Sequence, residues 1–300
     1  MAIAKIAALV GLTVVYAVCF VLIKAGLAFA PPLLFGGLRA LIGGVALLGV
    51  APVLHEPLLS RRANWSSLPA LALTSTTLTY GAMFLSPGRT GAGLASVLGN
   101  AQPLIAVALA ALFLGERVTG RHWTTLALGL AGVALISLPA LAAPGADGVS
   151  GAALALAASL GAAGGSVIFK RLDAQILVLT VTAWQLILGS LPLLALSAMV
   201  ERGATVTWNA PFLGTLLFLA LPGTALANAV WYWLVRRHAV GRLTMYLFLV
   251  PIFGLSLGAL AFGERIGPWD GLGSMFVIAA IAAATLWTGP GQRLAEAAER

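Results

Sequence analysis

Residues 88–123 read GRTGAGLASVLGNAQPLIAVALAALFLGERVTGRHW, and the pattern returns in the second half of the chain. Arg89, Pro103, Glu116 and Arg117 find partners in Arg237, Pro251, Glu264 and Arg265; 237 − 89, 251 − 103, 264 − 116 and 265 − 117 each give 148. Phe113 has its counterpart in the segment ending at Phe262. A fixed offset of half the chain, with proline, glutamate and arginine in register, marks an internal duplication, because unrelated apolar segments keep no such register. The chain reads as two copies of one unit, 1–147 and 148–300.

With 60% apolar residues, 9% charged residues and a mean hydropathy of +1.02, the 300-residue chain cannot present an ordinary water-facing surface. It reads as an all-α polytopic membrane protein. Apolar runs long enough to cross ~30 Å of hydrocarbon, about 20 residues each, fall at 6–28, 33–54, 67–86, 92–114, 122–141, 150–170, 175–199, 211–235, 243–262 and 269–288. That predicts ten transmembrane helices joined by short turn-forming connections such as Ala30-Pro31-Pro32 and Ser86-Pro87-Gly88. Lys5, the first apolar run and Ala28-Phe29-Ala30 imitate a signal peptide. The duplication argues for retention, since the first run has a mate in Ser159 to Lys170.

The net charge of +8, from 17 Lys and Arg against 9 Asp and Glu, could suggest a nucleic-acid partner. Its placement argues otherwise. One set of alternate loops and ends holds Lys5, Arg61, Arg62, Arg117, Arg121, Lys170, Arg171, Arg236, Arg237, Arg242, Arg293 and Arg300; the other holds only Lys24, Arg89, Arg202 and Arg265. The positive-inside rule absorbs that excess without nucleic acid and places both termini in the cytoplasm. Five helices per copy is an odd number, so the second copy enters the membrane from the opposite side. Two inverted five-helix repeats are a transporter architecture, with the site expected at the midplane between the copies.

Thr74-Ser75-Thr76-Thr77-Leu78-Thr79-Tyr80 is a hydroxyl-rich run in the middle of the third span. The offset maps Thr76 to Thr224, Tyr80 to Asn228, Met83 to Trp231 and Phe84 to Tyr232. Positions 76, 80 and 84 follow i+4 steps and so share a helix face, as do 224, 228 and 232. These stripes are candidates for a substrate pocket, with hydrogen bonding to neighbouring helices as the alternative. Asn100 and Gln102 lie near the middle of the fourth span, where two amides suit an amino acid's ammonium and carboxylate or clamp two helices. Pro103 beside them frees a backbone carbonyl and can bend the helix. Pro103 and Pro251 are therefore candidate hinges. Tyr16, Phe20, Ser166 and Tyr246 are candidate further walls, or plain packing. Arg39, about six residues into the second span, can snorkel to the outer face or attract a carboxylate and gate the pathway.

Leu38-Arg39-Ala40, Asn100-Ala101-Gln102-Pro103, and the paired ends Leu114-Gly115-Glu116-Arg117 and Phe262-Gly263-Glu264-Arg265 resemble the EamA-type members of the drug/metabolite transporter superfamily. The resemblance covers nearly the whole chain. It departs at Phe248-Leu249-Val250-Pro251, which lacks the polar pair found before Pro103. Among EamA-type proteins the aromatic-lined interior looks most like the YddG-type aromatic amino-acid exporters. The resemblance implies a multi-pass protein of the bacterial inner membrane that exports aromatic or other apolar amino acids by alternating access.

No Asp, Glu or His falls in the middle of a predicted span, so no deep proton relay is expected. No phosphate-cradling glycine loop, metal-ligand cluster or Ser/His/Asp set has workable spacing, so the chain is expected to be no enzyme and to need no cofactor or metal. Cys19, the single cysteine, reads as packing. The small polar loops suggest a monomer or small homo-oligomer in the lipid bilayer. The rival readings are an exporter of other small metabolites or of cationic drugs, and a membrane enzyme or scaffold. A flat cation would favour an aromatic pocket, but such a site usually keeps a buried carboxylate as well.

Overall fold

The fold, a computed structural model, describes residues 2–59, 66–86, 101–141, 148–173, 176–262 and 267–286. Those residues form α1 (Ala2–Gly26), α2 (Pro32–Val50, tightening into a 3-10 turn at Ala51–Leu54), α3 (Leu68–Leu85), α4 (Gln102–Leu114), α5 (Gly120–Leu141), α6 (Gly148–Arg171), α7 (Val178–Val200) and α8 (Ala210–Arg237). In α9 the turn Val240–Thr244 passes through a 3-10 segment, Met245–Phe248, into Leu249–Phe262, and α10 is Pro268–Leu286. Among the described residues seven helices are long and apolar enough to cross a bilayer, while Gln102–Leu114, His122–Ile136 and Pro268–Ala283 are shorter apolar helices. The seven match the first, second, third, sixth, seventh, eighth and ninth expected spans. Residues 92–100 of the fourth expected span lie outside the described residues.

Two of these helices widen in the middle, at matching places. The π turn of α3 covers Leu73–Leu78 and that of α8 covers Leu221–Leu226, again 148 positions apart. The sequences that produce them differ. In α3 the hydroxyls compete for the helix's own carbonyls: Thr74 Oγ1 donates to Ala70 O at 2.7 Å and Thr79 Oγ1 to Thr74 O at 2.9 Å. In α8, Pro222 has no N–H to give to the preceding turn, and Gly223 follows it. Such single-turn widenings are frequent at functional sites.

With no water to expel between helices in lipid, association depends on close packing and interhelical polar contacts. α2 packs along α7 and α5 along α10, while α1 lies against α9 and α6 against α4. Glycines set the closest approaches. A Cβ at Gly43 of α2 would lie 2.8 Å from Ala220 O and 3.1 Å from Thr224 Cγ2; one at Gly189 of α7 would lie 2.6 Å from Ala72 O and 2.4 Å from Thr76 Cβ. Residues 220 and 224 are the offset mates of 72 and 76, so the two contacts are reciprocal. Lipid-facing positions carry large exposed apolar side chains, such as Leu112 at 74% and Met275 at 67%.

The acids absent from the helix middles serve helix ends. Glu201, just after α7, accepts from Leu33 N at 2.8 Å and Leu34 N at 3.1 Å in the first turn of α2, and Glu56, just after α2, accepts from Thr180 N at 3.1 Å in the first turn of α7. Glu116 accepts from Val240 N at 2.8 Å and Gly241 N at 3.1 Å at the start of α9. Each carboxylate meets free N–H groups at the positive end of a helix dipole. At the same end of the bundle as Glu116, Lys170 Nζ donates to the carbonyls of Val235, Arg236 and His238.

Three apolar clusters fill the interior of the described residues, two of which meet at the candidate site. One of these two holds Phe35, Phe84 and Phe212, with ring centroids 5.2 Å apart for Phe35–Phe84 and 5.3 Å for Phe35–Phe212. The other holds Phe169 stacked on Tyr232 at 4.0 Å, with Trp231 and Leu234 beside them. A cavity opens where the clusters meet, and its walls include Tyr80 of the first and Trp231 and Tyr232 of the second.

Candidate functional site

The cavity has a volume of about 150 Å³ and is lined by residues of α1, α2, α3, α4, α6, α8 and α9. A void of roughly that size takes a benzene-sized ring. Of the candidate residues, Tyr16 and Phe20 of α1, Arg39 of α2, Tyr80 of α3, Gln102 of α4, and Asn228, Trp231 and Tyr232 of α8 line it, as does Ser166 of α6. Thr76, Phe84 and Tyr246 are buried away from the wall: Thr76 bonds to Gln185, Phe84 packs edge-on against Phe35, and Tyr246 sits in the apolar cluster. The reason for Thr76 is local. The π turn places an extra residue between 73 and 78, so 76 and 80 no longer share a face, and the i+4 stripe breaks there.

Asn100 lies outside the described residues, as do Arg89, Glu264 and Arg265. Pro103 stands in the first turn of the described part of α4, where its missing N–H costs nothing, and the residues that precede Ala101 in the expected span lie outside the described ones. Pro251 stands in the first turn of the helix that follows the 3-10 segment of α9.

The polar wall is a short network. Asn228 Nδ2 donates to Tyr80 Oη at 3.0 Å and to Thr224 O at 2.9 Å. Tyr80 and Asn228 are offset mates, so two equivalent positions touch each other. Trp231 Nε1 donates to Ser166 Oγ at 3.0 Å, and Ser166 Oγ in turn donates to Ala162 O at 2.9 Å, which fixes the indole plane against the cavity.

Arg39 does not reach an interface; it is 3% exposed. Its Nε donates to Thr224 Oγ1 at 2.6 Å and its Nη2 to Gly223 O at 3.0 Å, both on the π turn of α8. Its guanidinium carbon lies 4.9 Å from the Tyr80 ring centroid and 5.9 Å from that of Phe84. No Asp or Glu is among the described residues that line the cavity.

The mirror contact belongs to a residue the sequence reading passed over. Gln185 of α7 is fully buried and accepts from Ser75 Oγ and, at 3.3 Å, from Thr76 Oγ1, both on the π turn of α3. Positions 75 and 76 are the mates of 223 and 224. Gln185 thus stands in the second copy where Arg39 stands in the first, at an offset of 146 that also relates Gly43 to Gly189. A second pass with the offset relaxed by two residues over α2 and α7 would have found it.

Comparison with known proteins fits this geometry. The profile of the EamA-like transporter family matches the chain twice, over residues 3–138 and 149–286. The chain belongs to the EamA-like transporter family. Curated relatives include the uncharacterized transporter YvbV of Bacillus subtilis (strain 168), 34% identical over 256 residues that cover 85% of this chain and 83% of that one. The probable amino-acid metabolite efflux pump of Escherichia coli (strain K12) is 28% identical over 275 residues, covering 88% and 89%. A solved crystal structure superposes with a TM-score of 0.82 over 94% of this chain and 96% of its own, at 18% identity, a likeness of fold alone. The chain is a multi-pass membrane transporter, and these relatives are named as transporters or efflux pumps.

Proposed function

We propose that this transporter exports amino acids, aromatic or otherwise apolar, across the bacterial inner membrane by alternating access around the cavity between its two halves. On this reading ten spans form two inverted five-helix repeats, 1–147 and 148–300, with both termini in the cytoplasm. The observation that carries the reading is the Asn228–Tyr80 hydrogen bond in the cavity wall between positions 148 apart. Residues related by a two-fold axis can touch their own mates only beside that axis, and inverted-repeat transporters hold their solute there. The matching π turns and the reciprocal contacts of Gly43 and Gly189 support the same relation.

Tyr16, Phe20, Tyr80, Trp231 and Tyr232 give aromatic walls to a space suited to one ring, and Asn228 and Gln102 supply neutral hydrogen-bonding groups. Flat stacking or edge contacts of this kind favour an aromatic solute. The named activity of the Escherichia coli and Salmonella typhimurium relatives, both probable amino-acid metabolite efflux pumps, agrees with an amino-acid solute. The cationic-drug rival is disfavoured by the guanidinium in the wall and by the absence of a carboxylate among the described residues facing it.

The test is counterflow in liposomes holding only this protein, loaded in turn with aromatic amino acids, aliphatic amino acids, a nucleotide sugar and a cationic dye. Exchange of an aromatic amino acid, weakened by Tyr80→Ala or Asn228→Ala, is the expected result. Exchange of the dye alone would overturn the reading.

A further inference from the structure

Arg39 carries more charge than its structural contacts require. Its guanidinium has five N–H donors in a rigid fork. Nε and Nη2 are engaged by the π turn of α8, the flanking positions are taken by Tyr80 and Phe84, and Nη1 is buried with no partner among the described residues. Among the described residues, Glu56, Glu116 and Glu201 cap helices and Asp270 accepts from Gly267 N at 2.7 Å at the start of α10, so none of these four acids balances it.

A clamp between a helix and the neighbouring π turn does not need a cation. Gln185 makes the equivalent contact in the second copy with a neutral amide. An unbalanced cation buried at membrane depth is costly, and such residues mark solute pathways. Arg39 also forms part of the cavity wall. We infer that Arg39 is the docking point for a carboxylate on the transported solute. The solute class is then a small monocarboxylate on an apolar or single-ring body, for which the α-amino group is dispensable, because the described residues of the wall offer a fixed positive charge and no fixed negative one. This inference rests on the reading of the cavity as the transport site and deepens it.

The test uses the purified full-length protein in detergent and three probes that share a phenyl ring: L-phenylalanine, 3-phenylpropanoate, which keeps the carboxylate without the amine, and phenethylamine, which keeps the amine without the carboxylate. Ligands that bind the folded state raise its unfolding temperature by an amount that grows with the logarithm of their concentration over Kd. Both carboxylates are expected to protect and phenethylamine is not. In R39Q the concentration of carboxylate needed for equal protection should rise about ten- to a hundredfold, the loss of one or two charge-assisted hydrogen bonds. The comparison of probes on the unaltered protein stands even where R39Q fails to fold. Equal protection by phenethylamine, undiminished protection of R39Q by the carboxylates, or no protection by any probe would each overturn the inference. If 3-phenylpropanoate protects while no amino acid undergoes counterflow, the amino-acid reading falls and the carboxylate site stands. If L-phenylalanine and phenethylamine exchange equally well, the reverse holds.

Discussion

Two adjacent glycines in α6 should respond to the same added methyl group with opposite signs. A Cβ at Gly165 would lie 2.2 Å from Ser75 Cβ and 3.1 Å from Ser75 Cα, whereas one at Gly164 would meet nothing within 4 Å. Ordinary contact begins near 3.4 Å, so at 165 the neighbour must move by more than an ångström. Ser75 is poorly placed to yield, because it belongs to the π turn of α3 and donates to Gln185. Overpacking of this kind costs about 1–3 kcal/mol, against a gain of about 0.5–1 kcal/mol for replacing glycine inside a helix. Gly165→Ala should therefore destabilise by up to about 2.5 kcal/mol and Gly164→Ala should stabilise by about 0.5–1 kcal/mol. Unfolding in mixed micelles with a denaturing detergent reads both values. Gly165→Ala should also lower counterflow, since it displaces part of the cavity wall, and Gly164→Ala should leave it unchanged. The same sign at both positions would refute the packing argument for α6 against the π turn.

Tyr80→Phe and Asn228→Leu should couple by about 0.6 kcal/mol in a double-mutant cycle of the same unfolding assay, the usual size for a hydrogen bond between membrane helices; strict additivity would mean that the bond is not made. Glu116→Gln keeps one acceptor but loses the ionic one facing Val240 N and Gly241 N, for a cost of about 1–2 kcal/mol. Hydrogen exchange at those two amides should quicken, and unchanged protection would count against the cap. Pro222→Ala restores an N–H to α8 and allows the π turn to close toward regular helix, withdrawing Gly223 O from Arg39. Stability should hold or rise while counterflow falls, and full transport by this variant would show that the widened turn is not needed.

The duplicated pattern around Pro103 and Pro251 predicted which positions correspond, and that knowledge extended into the site. Tyr80 and Asn228 were singled out as mates from one offset and prove to be bonded to each other. What escaped the sequence has identifiable causes. The i+4 rule assumes regular helix, and neither the hydroxyl-rich run of α3 nor Pro222-Gly223 of α8 announces the added residue that turns Thr76 away from the cavity. Gln185 is neutral and sits in an apolar run, and the two-residue shift between α2 and α7 hid its relation to Arg39. Arg39 itself, judged by depth alone, could have reached the outer face. Only the approach of α8, with Thr224 Oγ1 and Gly223 O at bonding distance, explains why it turns inward.

The unpartnered edge of that guanidinium bears on the rhythm of transport. An alternating carrier passes through its occluded state twice in each cycle, once loaded and once empty. On the assignment made above, the loaded passage carries a neutralised ion pair and the empty passage a buried cation with no counter-charge among the described residues, which a low-dielectric interior tolerates less well. The empty return is then the slow half of the cycle. A carrier built this way trades one solute for another faster than it releases a solute in one direction, and an outside solute able to ride back would speed the export of the one within.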